Sequence, residues 1–452
     1  TDQQHHIGLM DVPARQRPGG GERVSLAPIY QKTTLKNGVR VVTGPMTGVR
    51  SASLIFYYGV GSRYEQPTIS GVSHFLEHML FKGTELRPDP MQISQEIEGI
   101  GGILNAATGR EATNYWAKVP STHFGLSFDV LADILNNSVI DEGELEKERS
   151  VIYEEIRSIF DSPEDLVHEV IDEVVWGDQG VGRSIAGTEE TVANIDRSGM
   201  IDFWKRNYTP SRLVVASGGD VHHEEAVALA EKHFGDLAPD KPADEYERAS
   251  IAQSEPRVHL IDRETEQAHL CISMPAIPYT DERRYVQGTI EAVLSSGMSS
   301  RLFQEIREKR GLVYSVYGYF RPYEDVGQGV FYAGTDLERV EETIEALIEE
   351  LRKMRDEPLP ADELQRTKDL RKGRLLMGLE DSRSVASWVG SQELTYGEIK
   401  TPEEVMEKID EVTVEQVQEL AQEIFREELL SLALVGPYSD PAPFTSLLSF
   451  SK

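Results

Sequence analysis

The segment His74-Phe75-Leu76-Glu77-His78 sets two imidazoles four residues apart, with a carboxylate one helical turn after the first. On a helix, at about 100° per residue, Val72, Phe75, Leu76, Met79 and Leu80 fall on one side, the i, i+3, i+4 spacing of a buried face. His74, Glu77 and His78 fall on the other. Imidazoles at i and i+4 can converge on one ion, and Glu77 can reach a water held there. The pattern inverts the more familiar His-Glu-x-x-His order. Two surface histidines on an amphipathic helix would look the same, so the segment needs a third ligand from elsewhere.

The stretch from Asp141 to Phe160 offers one through its own periodicity. Leu145, Val151, Ile152, Ile156 and Ile159 form an apolar stripe, and Glu148 and Glu155 fall within it. Burying an unpaired carboxylate is costly, so a cation or a strong donor is expected to meet each of them. Glu154 points away with Glu146, Lys147 and Arg157, which selects Glu155 over its neighbour. Without the histidine segment, internal salt bridges would explain the buried pair equally well.

The elements that must carry these residues occur twice. Glu189-Glu190, Ile195-Asp196, an amphipathic stretch through Phe203 and Trp204 and the apolar run Leu213 to Ala216 are matched by Glu403-Glu404, Ile409-Asp410, a helical stretch through Val417, Leu420 and Ile424 and the run Leu432 to Val435. The acidic markers lie 214 residues apart, which implies duplication of a whole domain. The halves also begin alike, with strands at Val39–Val42 and Ala52–Tyr58 and again at Arg257–Ile261 and Ala268–Met274. Strands at 103–107 and 113–119, joined by a short turn containing Gly109, are expected to pair antiparallel. The expected class is α+β, with two homologous domains, each a mainly antiparallel sheet packed with helices. The expected boundaries are a tail at 1–24, a first domain at 25–238, a Pro- and charge-rich linker at 239–256 and a second domain at 257–452.

Composition narrows the partners. With 46 Lys and Arg against 77 Asp and Glu, the net charge of −31 repels phosphate backbones and anionic lipid. A basic or extended cationic peptide fits better than nucleic acid. One cysteine, Cys271, excludes an internal disulfide or a thiolate cage, so a metal site must use His, Asp or Glu. No run approaches the roughly 18 to 20 apolar residues of a membrane span. A soluble protein is expected, cytoplasmic, or periplasmic or secreted if a leader preceded Thr1.

These residues resemble the pitrilysin, insulinase and mitochondrial processing peptidase family of zinc metallopeptidases. Glu148-Arg149-Ser150-Val151-Ile152-Tyr153-Glu154-Glu155 is similar to the family segment that supplies the third zinc ligand, here Glu155, with Glu148 as the acid that supports the site without ligating. Leu35-Lys36-Asn37-Gly38, Gly61-Ser62-Arg63-Tyr64-Glu65 and Gly101-Gly102-Ile103-Leu104-Asn105-Ala106 extend the likeness. Arg307-Glu308-Lys309-Arg310-Gly311-Leu312-Val313-Tyr314 resembles the segment whose Arg and Tyr reach the substrate, and the second half has no His-x-x-Glu-His of its own.

The resemblance implies one Zn²⁺ per chain on His74, His78 and Glu155, with Glu77 as general base and Arg307 and Tyr314 as substrate contacts. It implies an extended peptide along the strand near Asn105 and Ala106, and a preference for basic residues through Asp165 and Glu169. A chain of this length resembles the half-length members, which pair with themselves or with a motif-less relative to enclose a chamber, each chain being half of a clamshell. The alternative is a scaffold subunit that keeps the fold without the chemistry. Three other features carry no site in this reading. They are His5-His6 in the tail, His222-His223 at a solvated helix start, and the Ser295 to Ser300 loop, which lacks a phosphate-loop ending.

Overall fold

The computed structural model describes residues 30–239 and 245–451. The expected tail, His5-His6 and residues 240–244 of the expected linker lie outside the described residues. Two sheets organise the chain. The first contains β1 (Gln31–Thr34), β2 (Arg40–Pro45), β3 (Ser51–Tyr58), β4 (Ile103–Thr108), β5 (Thr113–Pro120) and β6 (Leu213–Gly219), in the order β1-β2-β6-β3-β5-β4. The second contains β7 (Arg257–Asp262), β8 (Ala268–Ala276), β9 (Val313–Pro322), β10 (Gly327–Thr335) and β11 (Ser431–Gly436), in the order β7-β11-β8-β10-β9. Each sheet is antiparallel apart from one parallel pair, β2 with β6 and β7 with β11. The shared exception is the mark of a duplicated α+β plan. Each sheet also ends in an edge strand, β4 in one and β9 in the other, with no neighbour in its sheet on the outer side.

Both faces of each sheet are covered, which is why β3 reads as a nearly continuous apolar run. Leu54, Phe56 and Tyr58 turn into the first core, beneath the helix Val72–Leu80. Ile55 and Tyr57 turn the other way, against Ala386 and Val389 of the helix Ser382–Tyr396. That helix belongs to the second half of the chain. The exchange is mutual: the helix Pro163–Trp176 of the first half lays Val167, Ile171 and Trp176 on Cys271, Val330 and Ala433 of the second sheet. At about 1.5–3 kcal/mol for each large apolar side chain buried, the second face of each sheet would lose that stabilisation without the other half.

Polar contacts reinforce the seam. Arg63, 3% exposed, grips Asp325 of the second half with two nitrogens at 2.9 and 3.0 Å and stacks on Tyr246. Asp172 receives Arg110 of the first half at 2.8 Å and Arg321 of the second at 2.6 Å. Such buried, paired charges orient the halves more than they stabilise them.

Candidate functional site

The helix Val72–Leu80 forms as its periodicity predicts: Val72, Phe75, Leu76, Met79 and Leu80 are all fully buried, and His74, Glu77 and His78 line its half-buried side. Against it packs the long helix Glu142–Asp161, started by Asp141, whose carboxylate accepts from the amides of Gly143 and Glu144. Leu145, Ile152 and Ile156 are buried there, but Val151 is 43% exposed, which corrects its place in the expected stripe. Val151 lies about 100° around the helix from the stripe's centre. Glu148 lies nearer that centre and is 6% exposed, whereas Glu155 sits at the margin with 43% of its side chain exposed. A ligand on the rim of a buried stripe can meet both the imidazoles and a substrate.

His74 Nε2 and His78 Nε2 stand 3.2 Å apart, and Glu155 Oε2 lies 3.7 and 3.8 Å from them. Two nitrogens bound at 2.0–2.1 Å in a tetrahedral shell would be about 3.3 Å apart, so the imidazole spacing fits zinc. The donor set agrees. Glu148 Oε1 lies 2.8 Å from His78 Nδ1, a contact that favours the proton on Nδ1 and, in the neutral ring, the lone pair on Nε2. Burial, helped by the neighbouring imidazole, takes His74 down to about 4, so its ring is neutral near pH 7, whereas Glu148 and Glu155 raise His78 above the ordinary imidazole value against its burial. Among the described residues this trio is the one His, Cys, Asp and Glu cluster with metal-binding spacing.

Glu148 is met as its burial requires. Burial pushes its carboxyl up, but His78 and Lys82, whose Nζ lies at 2.6 Å, pull it below the usual carboxylate range. Glu77 stands beside the trio, and its Oε2 accepts a hydrogen bond from Thr108 Oγ1. Burial raises its carboxyl net of that bond. Sequence reasoning missed Thr108. In β4 the residues Leu104, Ala106 and Thr108 are half-buried while Ile103, Asn105 and Ala107 are exposed, so Thr108 is the polar member of the inward set. That alternation was the available signal.

The remaining expected residues stand apart from the trio. Asn105 is exposed and accepts from the amide of Ala106, while Ala106 is half-buried on the edge strand β4. Asp165 is exposed in the first turn of Pro163–Trp176. Glu169, raised by burial, lines with Glu173, Ile156, Ile159 and Phe160 a cavity of about 430 Å³ that begins one residue along the helix from Glu155. Arg307 lies in a π-helical turn at Phe303–Lys309 and stacks on Phe303 and Tyr314, and Tyr314 is 77% exposed. None of these touches His74, Glu77, His78 or Glu155 by a hydrogen bond or ion pair. His222 is exposed, but His223 bridges Thr33 and Thr43, so it ties the helix to the first sheet instead of facing solvent.

Comparison with known proteins agrees with this geometry. Residues 40–189 match the model described as insulinase (peptidase family M16), and residues 194–370 match that described as the peptidase M16 inactive domain. A protein of Bacillus subtilis named uncharacterized zinc protease YmxG is 38% identical over 90% of this chain and 98% of its own length. A similarly named protein of Streptomyces coelicolor is 38% identical over 91% of this chain and 90% of its own. In fold, the chain is similar to a protease from Helicobacter pylori, with a TM-score of 0.84 at 23% identity over 90% of this chain and 99% of that one. The trio His74, His78 and Glu155 falls inside the insulinase match, and the half without a His-x-x-Glu-His segment falls mostly inside the inactive one. The chain is thus a half-length member of the insulinase family of peptidases, M16.

Proposed function

We propose that this chain is a zinc endopeptidase that hydrolyses extended or unfolded peptides in a chamber formed with a second half-length chain, a copy of itself or a motif-less relative. The observation that carries the reading is the convergence of two imidazole nitrogens and one carboxylate oxygen, all within 3.8 Å of one another. One zinc per chain, held by His74, His78 and Glu155, supplies Lewis-acid polarisation of the scissile carbonyl and activation of water.

The chain's own groups do the rest. Glu77 takes the proton from the attacking water and delivers it to the leaving amine, while Thr108 keeps its carboxylate turned toward the site. Glu148 holds the His78 tautomer. The free edge of β4 offers an extended peptide main-chain pairing through Asn105 and Ala106. The acids around the adjoining cavity, Glu169 and Glu173, with Asp165 at the helix start, favour basic side chains. Arg307 and the exposed Tyr314 hydrogen-bond the substrate carbonyl when a peptide spans the halves or a second chain closes the chamber.

The test compares wild type with Glu77→Gln for metal content and for hydrolysis of unstructured peptides, basic and acidic, of matched and increasing length. The variant is expected to keep zinc and to lose about 10²- to 10⁴-fold in kcat. Basic peptides should be preferred and folded or long substrates excluded. Equal turnover in both proteins would remove Glu77 as the base, and protein without zinc would favour a scaffold. Indifference to charge would remove the acidic subsite.

A further inference from the structure

We infer that Glu65 is a positioning residue of the metal centre, capping the helix Val72–Leu80 from outside and so setting where His74 stands. The inference rests on the peptidase reading above. A helix start leaves four amides without intrahelical partners, and a side chain at the cap position usually satisfies one or two. The carboxylate helix follows that rule through Asp141. The histidine helix does not: its cap is Gly71, at φ +98°, and no cap side chain bonds the first turn. A larger residue is excluded, because a Cβ at Gly71 would lie 2.5 Å from the carbonyl oxygen of Ala186.

Glu65 supplies what Gly71 cannot. It is 5% exposed, its Oε2 accepts from the Gly71 amide at 2.8 Å, and its Oε1 accepts from the Ser73 amide at 2.7 Å. Both oxygens are therefore spent on the turn that ends at His74. Negative charge there also complements the positive end of the helix dipole. Burial pushes the carboxyl up to about 7, against the pull of the two amides and Arg183.

Glu65 is itself held on two sides. Its carbonyl accepts from Arg183 Nη2 at 3.2 Å, and Arg63, two residues earlier, is locked to Asp325 of the second half. The short turn Ser62–Tyr64 thus links the contact between the halves to the helix that carries two of the three ligands. His74, in the first turn, feels any shift of that end more than His78, one turn on.

The experiment measures zinc affinity by chelator competition and steady-state peptide hydrolysis for wild type, Glu65→Ala and Glu65→Gln, all well below their melting temperatures. Glu65→Ala is expected to lose about 10- to 100-fold in zinc affinity or kcat, the range for groups that orient ligands, with KM within about threefold. Glu65→Gln, which keeps an acceptor oxygen, should lose less. Hydrogen exchange at the Gly71 and Ser73 amides should quicken in the same order. Wild-type zinc affinity and kcat in a folded Glu65→Ala, even with a lower Tm, would overturn the inference alone, as would equal losses in the two variants. A wild type without zinc or turnover would overturn it together with the peptidase reading.

Discussion

The two halves pack the same pair of helices and use the space between them differently. In the first half, Val72–Leu80 meets Glu142–Asp161, and the seam gathers His74, His78, Glu148 and Glu155. In the second, Arg284–Ser295 meets Ala361–Gly378, and the seam holds an arginine. Arg371 donates to the Tyr285 carbonyl at 2.7 Å and to Thr289 Oγ1 at 2.6 Å, and Glu291 lies near enough to offset part of its burial. Gly288 makes the room, since a Cβ there would lie 2.6 Å from Arg371 Nη2. Gly288 stands 214 residues after His74, the spacing of the duplication. One seam gathers groups with the spacing to hold a cation, and the other carries its cation covalently. Arg371, bonded within its own seam, fills the place that His74 lines in the first, so one fold gathers a ligand-type cluster on one side and a structural contact on the other.

That contrast can be pressed hardest at the first seam, after Glu77→Gln itself. Thr108→Val should lower kcat by about tenfold through loss of the Glu77 orientation, with KM and zinc content unchanged and Thr108→Ser close to wild type. A Val variant with wild-type kcat would leave Thr108 as an ordinary strand-end residue.

The second seam should respond in stability instead. Arg371→Met removes two charge-assisted hydrogen bonds, a loss of about 1.5–3 kcal/mol each at most. A lower Tm with unchanged zinc content and kcat is expected from thermal melts and assays on the same preparation. A fall in zinc content would show that the two seams are coupled.

The smallest effect concerns the exchanged helix. His168 on Pro163–Trp176 lies between the hydroxyls of Tyr317 and Tyr319, each at 2.9 Å, and burial followed by the Arg321 charge lowers its pKa. The folded ring therefore binds a proton less readily than the unfolded one. Its contribution is present above the ordinary value of about 6.5 and is lost as pH falls through that value toward the lower folded one. The Tm difference between wild type and His168→Gln should be constant above about pH 7 and change below about 6.5. A difference flat across that range would mean the ring is not held neutral by the fold.

Much of the site was legible because it obeys local periodicity. The five buried apolar residues of Val72–Leu80 dictate which side His74, Glu77 and His78 occupy, and the stripe of Glu142–Asp161 marks Glu148 and Glu155 as acids needing partners. The misplacement of Val151 shows the limit of that reasoning: a stripe has a width, and its edge is set by what packs against it. Thr108 and Glu65 were harder to find, because each acts across a gap in sequence that no period spans. The exchange of Pro163–Trp176 and Ser382–Tyr396 was hidden for the same reason. An amphipathic helix shows that it has an apolar face, not which sheet will cover it.

The amino-acid sequence by itself determined the two-fold plan, the element types and the residues proposed as ligands, since these follow from spacing along a chain of fixed geometry. Tertiary structure alone decided that Glu155 lies beside the imidazoles, that Glu65 bonds the first turn of the histidine helix and Thr108 the Glu77 carboxylate, and that each half covers the other's sheet. Those are contacts between segments distant in sequence, selected by the burial and hydrogen bonding of the whole chain at once.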